Sequence, residues 1–180
     1  MNTIIITNQD NHQHLAALTY AGLQADGTAR ACVSRFTSSS FCQWTQPGDC
    51  WFFMGHDAPA GQQPTTANIL GYLALRDWEG KTARIHFAIT RRARSFGVAL
   101  ALRAFNIAFS TAPGFPGLQS IFGIFPQSYR HIPPFARRLG GACLGTIPGA
   151  GFDQLRNREC PGVIWCFTPE TLQQQQTKEN

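Results

Sequence analysis

The sequence predicts a mixed α+β fold: a central, mostly antiparallel twisted sheet with one parallel strand pair, flanked by helices. Three stretches carry that expectation. Ile69–Asp77 and Ala83–Thr90 are apolar, strand-like segments joined by a turn at Glu79-Gly80, which makes an antiparallel hairpin. From Phe96 the period changes: Val98, Ala101, Leu102, Phe105, Ala108 and Phe109 recur at helical steps, with Arg103 and Asn106 between them. Ser120–Phe125 is then a strand closed by Pro126. Its connection through a helix makes it parallel to the Ile85 strand, with a right-handed crossover.

Taken in order, Ile4–Ile6 reads as a short strand, and Asp10 or Asn11 caps a helix carrying Leu15, Leu18 and Leu23 on one face. His12 and His14, two residues apart, diverge on a helix, cannot share a metal and read as solvated. Gly27–Gly48 has no clear pattern; Ser38, Ser39 and Ser40 mark a loop or a helix end. Cys50–Gly55 is a continuous apolar run, the mark of a strand covered on both faces, and Asp57–Thr66 with its Pro and Gly residues is the connection after it. After the main helix, Pro113, Gly114, Pro116 and Gly117 form a loop. Pro133 and Pro134 fit only the first turn of a helix, which therefore starts near Ile132 and ends at Gly140-Gly141. Cys143–Ile147 and Val163–Thr168 are the last strands, with Gly149–Pro161 as an irregular link. The expectation is one domain over residues 1–171 and a polar, disordered tail over 172–180, where Gln173–Gln176 run in sequence.

Composition sets limits on function. The chain has 180 residues, of which 43% are hydrophobic and 14% charged, and a net charge of +5, which predisposes it toward anionic partners. No run is long or apolar enough to cross a membrane, and a cytoplasmic location is expected. The cysteines, Cys32, Cys42, Cys50, Cys143, Cys160 and Cys166, form no C-x-x-C pair and have mostly apolar neighbours, as free thiols packed in a core do; no metal site is expected. Gly80-Lys81-Thr82 matches the end of a Walker A motif, but Leu75 stands where the earlier glycine is required. From Lys81 to Phe152 there is no Asp or Glu, while Lys81, Arg84, Arg91, Arg92, Arg94, Arg103, Arg130, Arg137 and Arg138 all fall in that interval. Such an asymmetry builds a positive field suited to an anion.

The turn between strand and helix concentrates that field. With Ser95 as the N-cap, the loop Arg91–Ala99 leaves unpaired N–H groups at a helix start, where phosphate binds well. Arg94-Ser95-Phe96-Gly97-Val98-Ala99 resembles the R/Q-x-x-G-x-G/A loop of the GNAT superfamily of N-acetyltransferases and stands where that family has it, between the fourth strand and third helix. The resemblance has motif support over about residues 66–147. It implies that the loop amides hold the pyrophosphate of acetyl-CoA or another acyl-CoA, with Arg91, Arg92 and Arg94 adding charge-assisted bonds. It also implies that the two parallel strands splay, and that Phe87, Ala88 and Ile89 contact pantetheine.

The segment Gln127–Gly141 resembles the family pattern in its ending, Phe135-Ala136-Arg137-Arg138-Leu139-Gly140, with two departures. Ala136 occupies the position of a tyrosine that often protonates the leaving thiolate, and the usual asparagine falls on Ser128 or Tyr129. Some members carry a glutamate base near the start of the fourth strand, where this chain has Ala83 and Arg84. The candidates left for proton transfer are His86, Tyr129 and His131, each of which also fits a structural role. The expected activity is acyl transfer to a small-molecule or peptide amine. Two alternatives are a non-catalytic binding or assembly protein like GNAT-like proteins of phages and prophages, and a nucleic-acid binder. The oligomeric state is open, a homodimer included.

Overall fold

The structure, a computed structural model, describes residues 3–112 and 115–179. In chain order the elements are β1 (Thr3–Ile6), α1 (His12–Asp26), α2 (Ala29–Cys32), α3 (Ser38–Trp44), β2 (Trp51–His56), β3 (Ile69–Glu79), β4 (Thr82–Ile89), α4 (Gly97–Phe109), β5 (Thr111–Ala112), β6 (Phe115–Pro116), β7 (Ser120–Pro126), α5 (Ile132–Arg138), β8 (Ala142–Asp153), β9 (Arg158–Phe167) and α6 (Pro169–Glu179). Seven strands form one sheet in the order β1-β2-β3-β4-β7-β9-β8, with β5 and β6 paired separately. The pairs β1–β2, β2–β3, β7–β9 and β8–β9 are antiparallel. The pair β4–β7 is parallel, with Thr82, Ala83 and Arg84 opposite Ser120, Ile121 and Phe122. This is the mixed sheet expected from the sequence. Of the expected loop after α4, Pro113 and Gly114 lie outside the described residues.

The chain divides into two compact units, one comprising residues up to Asp77 with His86–Leu100, the other Trp78–Ile85 with residues from Ala101 onward. In the first unit, α1 and α3 cover one face of the strands. Leu15, Ala16 and Leu23 from α1 and Phe41 from α3 pack with Phe52, Met54, Tyr72 and Ala88. The Phe52 and Tyr72 rings stack at 5.5 Å, and Phe41 meets both edge-on. The Ser38–Ser40 run, ambiguous in the sequence, opens α3. Thr37 caps it by accepting from the Ser40 N–H at 3.2 Å, while Ser40 Oγ accepts from the Thr37 N–H at 2.8 Å. His12 does not take the solvated place expected of it. It is buried, with Nε2 2.9 Å from the Cys42 carbonyl and Nδ1 3.4 Å from Thr7 Oγ1, so it ties α1 to α3 and to the end of β1. His14 is exposed.

In the second unit, α4 buries Ala101, Ala104, Phe105 and Ala108 and exposes Arg103 and Asn106, as its period requires. Phe105 packs on Phe167 with ring centroids 5.0 Å apart. Helix α5 starts at Ile132 with its prolines in the first turn. The last two strands are longer than expected. The link read as irregular is mostly strand, because register shifts at Cys143/Gly145 and Ile147/Gly151 absorb the residues that resist regular pairing. The turn that remains is organised by Asp153, which accepts from the N–H groups of Leu155 and Arg156, and Asn157 adopts a positive φ of 48°. From Leu172, where a disordered tail was expected, the chain continues helix α6, with Leu172 buried; Asn180 lies outside the described residues. Cys32 and Cys50 are enclosed thiols that burial pushes up to about 11 and about 12. Cys143 departs from the packed environment expected of the cysteines and is exposed. Among the described residues no helix is long and apolar enough to cross a membrane.

Candidate functional site

Strand β4 delivers its last residues to the loop under tight control. Thr90 is buried; its N–H donates to the Leu70 carbonyl at 2.9 Å, and its hydroxyl donates to the same oxygen at 3.1 Å. Beside it, Gly71 of β3 has φ +147°, and a Cβ there would stand 2.2 Å from the Ala88 carbonyl oxygen. The backbones of β3 and β4 therefore approach as only glycine permits, which fixes the course of Phe87, Ala88 and Ile89.

Beyond Thr90 a 3-10 turn, Arg91–Ala93, leads into α4. The Ala93 N–H donates to Thr90, the Phe96 N–H to Ala93, and the Leu100 N–H to Phe96. Since the first helical carbonyl acceptor is Phe96, the N-cap position belongs to Phe96 and not to Ser95, as the sequence predicted. The N–H groups of Gly97, Val98 and Ala99 form the first turn, where no helical partner exists. Gly97 and Val98 are buried, while Arg91, Arg92, Arg94, Ser95, Phe96 and Ala99 are exposed; Phe96 shows 43% of its surface. Sequence-predicted anion-binding residues thus gather on one turn within one unit.

Folding also brings carboxylates that the sequence interval lacks. The Arg91 N–H donates to Asp26 Oδ2 at 2.9 Å, and the Arg92 guanidinium donates to Asp57 Oδ1 at 2.5 Å. Asp26 also accepts from the Thr28 hydroxyl. The Arg92–Asp57 side chains are 43% and 34% exposed, so the pair is worth only about 0–1 kcal/mol and can be exchanged for a stronger anion. Arg94 is exposed and makes no hydrogen bond or ion pair among the described residues, so its guanidinium is open to a ligand. Neither Asp26 nor Asp57 was legible as a site residue, because each lies far from the loop in sequence.

The proton-transfer candidates are distributed between the units. His86, half-buried on β4 in the first unit, meets the Trp44 ring edge-on at 5.1 Å and 86°. In the second unit Tyr129 stacks on His131 at 5.7 Å, and its hydroxyl accepts from the Gln154 N–H at 3.2 Å. Ser128 Oγ donates to Asp153 Oδ2 at 2.7 Å, so the Ser128-Tyr129 pair engages the β8–β9 turn. Arg156, followed by Ser128, holds the Asp153 carboxyl down to about 2. Ala136 is 1% exposed and brings no titratable group to α5. Among the described residues no group of three His, Cys, Asp or Glu side chains is placed to hold a metal ion. Two residues that the sequence reading did not single out, Trp44 and Arg76, extend this contact: His86 meets the Trp44 ring, and the Arg76 guanidinium lies over the same ring, 5.1 Å from its centroid.

The class that this architecture defines is the GNAT fold of the N-acetyltransferases. Spermidine N-acetyltransferase from Vibrio cholerae, in complex with CoA and spermine, matches with a TM-score of 0.67 and 12% identity, covering 96% of this chain and 98% of that one. The ribosomal-protein-S18-alanine N-acetyltransferase of Escherichia coli matches at 0.65 and 14% identity, covering 93% and 94%. A phosphinothricin N-acetyltransferase, so described provisionally, matches at 0.63 and 15%, covering 93% and 98%. At these identities the likeness is one of fold. No protein-family model matches the sequence, and none of the curated proteins does.

Proposed function

We propose that the protein transfers an acyl group, in the first instance acetyl, from an acyl-CoA to an amine. The observation that carries this reading is the turn from Thr90 to Ala99: a helix start whose first three N–H groups have no backbone acceptor among the described residues, next to Arg94, at the end of β4, in a fold shared with N-acetyltransferases. In this reading the N–H groups of Gly97, Val98 and Ala99 hold the pyrophosphate, with Ser95 and Phe96 shaping the turn. Arg94 pairs with phosphate directly, and Arg91 and Arg92 contribute charge. The β4–β7 ladder covers Thr82–Arg84, whereas β4 continues to Ile89. We assign the backbone of Phe87, Ala88 and Ile89 to pantetheine.

The bound thioester supplies the acyl carbon. The amine nitrogen bonds to it as the C–S bond breaks, and the proton lost by nitrogen balances the one gained by the thiolate sulfur. We assign His86 to accept the acceptor's proton. Positioning and electrostatic stabilisation supply the remainder. A second reading, acyl-CoA binding without turnover, is favoured by Ala136, Ala83 and Arg84, which leave the usual acid and base positions without a proton-transfer group, and by the engagement of the Tyr129 hydroxyl with Gln154. Calorimetric titration with acetyl-CoA tests the common premise, and an absence of binding at millimolar ligand would refute both readings. Thiol release across a panel of amines then separates them: turnover with any amine supports the transferase, and binding with no turnover supports the second reading.

A further inference from the structure

In the first unit, the end of β3, the middle of β4 and the end of α3 bring Arg76, His86 and Trp44 together. Trp44 is the common neighbour: the Arg76 guanidinium lies over its ring at 5.1 Å, and His86 meets it edge-on at 5.1 Å. Phe36 and Phe41 pack against Trp44 at 5.2 Å and 6.0 Å and hold the indole in place. Arg76 Nε is shut off from solvent and has no hydrogen-bond partner. Among the described residues the side chain makes no ion pair either. Its positive charge is felt by the buried Cys50 thiol, which places the guanidinium against the core. Asp49 and Asp77, the carboxylates that also act on Cys50, are exposed residues, and neither takes a hydrogen bond from Arg76.

The Trp44 ring lies against the guanidinium and Nε is enclosed, so the terminal Nη groups are the donors left for a ligand, a fork that matches a carboxylate. We propose that Arg76 and Trp44 form an acceptor subsite next to His86 that takes the carboxylate of an amine-bearing substrate, so that the amine to be acylated belongs to an amino acid or a peptide and not to a polyamine. The inference rests on the acyl-transfer reading above. A polycation such as the spermine bound by the Vibrio enzyme would meet Arg76 with like charge, and no carboxylate among the described residues pairs with Arg76 to offset it.

The test uses matched acceptors, a free amino acid and a short peptide, each against its C-terminal carboxamide twin, in the thiol-release assay with acetyl-CoA. The wild-type protein is expected to favour each carboxylate form by roughly ten- to a hundredfold in kcat/KM. Arg76→Gln removes that preference through KM, and Arg76→Lys keeps part of it, because the charge remains and the fork is lost. The acetyl-CoA-induced thermal shift of each variant reports that it is folded. Whichever acceptor shows the larger preference identifies the source of the carboxylate. Equal rates for the twins, turnover of spermine at the level of the amino acid, or a preference that survives Arg76→Gln each overturn the proposal. Should no turnover occur, titration of the carboxylate amine into wild-type and Arg76→Gln protein reads the subsite alone: binding lost in the variant supports it, and binding that is absent or unchanged refutes it.

Discussion

Replacing Gly71 with alanine tests how the end of β4 is held. The new Cβ would stand 2.2 Å from the Ala88 carbonyl oxygen and 3.0 Å from the Ile89 Cα, on a residue whose φ is +147°. Real Cβ atoms do not approach backbone oxygen so closely, and the obstacle here is main chain, which cannot turn aside as a flexible side chain would. A non-glycine residue in a sparsely populated backbone region costs about 1–3 kcal/mol, and steric overlap in a packed interior costs about 1–3 kcal/mol. Their sum, about 2–6 kcal/mol, is a large part of the roughly 5–15 kcal/mol that holds an ordinary domain together. Urea denaturation followed by far-UV circular dichroism reads the change as a lower midpoint at constant slope. Because the displaced carbonyl belongs to the residues assigned to pantetheine, acetyl-CoA affinity should fall in whatever fraction remains folded. A destabilisation below about 1 kcal/mol would show that β4 yields without cost, and the reasoning about a rigidly placed Phe87–Ile89 backbone would fail.

Gly97→Trp should abolish the thermal shift produced by acetyl-CoA while the circular dichroism spectrum stays native; a shift that persists locates the ligand elsewhere. Asp153→Asn should flatten the acid limb of the stability curve. The folded carboxyl titrates near about 2, below its unfolded value, so its contribution is complete above about pH 4 and disappears as pH falls toward about 2. An unchanged acid limb would refute the role given to Arg156 and Ser128. With iodoacetamide at pH 8 the exposed Cys143 should react first, and Cys32 and Cys50, held at about 11 and about 12, should react only on unfolding. Mass spectrometry that found Cys50 labelled early in native protein would contradict its enclosure.

The β2–β3–β4 meander and α4 were legible because burial imposes a period that residues display locally. Cys50–Gly55 is apolar throughout since both faces of β2 are covered, and α4 keeps Arg103 and Asn106 off its buried stripe. Helix α3 was illegible because its capping residue at N3 is Ser40 instead of the usual Glu or Gln, and it has only 7 residues in which to show a period. His12 was misread for a different reason: its partner, the Cys42 carbonyl, is 30 residues away, and spacing within α1 carries no trace of it. The β8–β9 link was misread because glycine and proline, taken as breakers, are here absorbed in bulges of a hairpin. In the site, the loop glycine and arginines were visible as a motif, whereas Asp26, Asp57, Trp44 and Arg76 acquire meaning only from tertiary contact.

Those tertiary contacts also bear on the charge that the Arg91–Ala99 loop presents. Read along the chain, the arginines from 84 to 138 form a long uninterrupted basic interval, the pattern of a protein that tracks a polyanion. Folded, Arg91 and Arg92 already have carboxylates beside them, through a main-chain N–H in one case and a guanidinium in the other. Each neighbouring negative charge shortens the reach of the field, which within a Debye length of about 8–10 Å is felt mainly at the Arg94–Ala99 turn itself. A nucleic acid gains affinity by neutralising many phosphates at once, and its binding weakens steeply with salt. A compact pyrophosphate held by convergent N–H groups and one free guanidinium needs few ion pairs and keeps most of its affinity as salt rises. The exposed Asp57–Arg92 pair is worth little, so it is no barrier to an anion at the turn. The arrangement of carboxylates around the turn therefore suits a small, doubly charged group better than an extended one, which is what the proposed acyl-CoA reading requires.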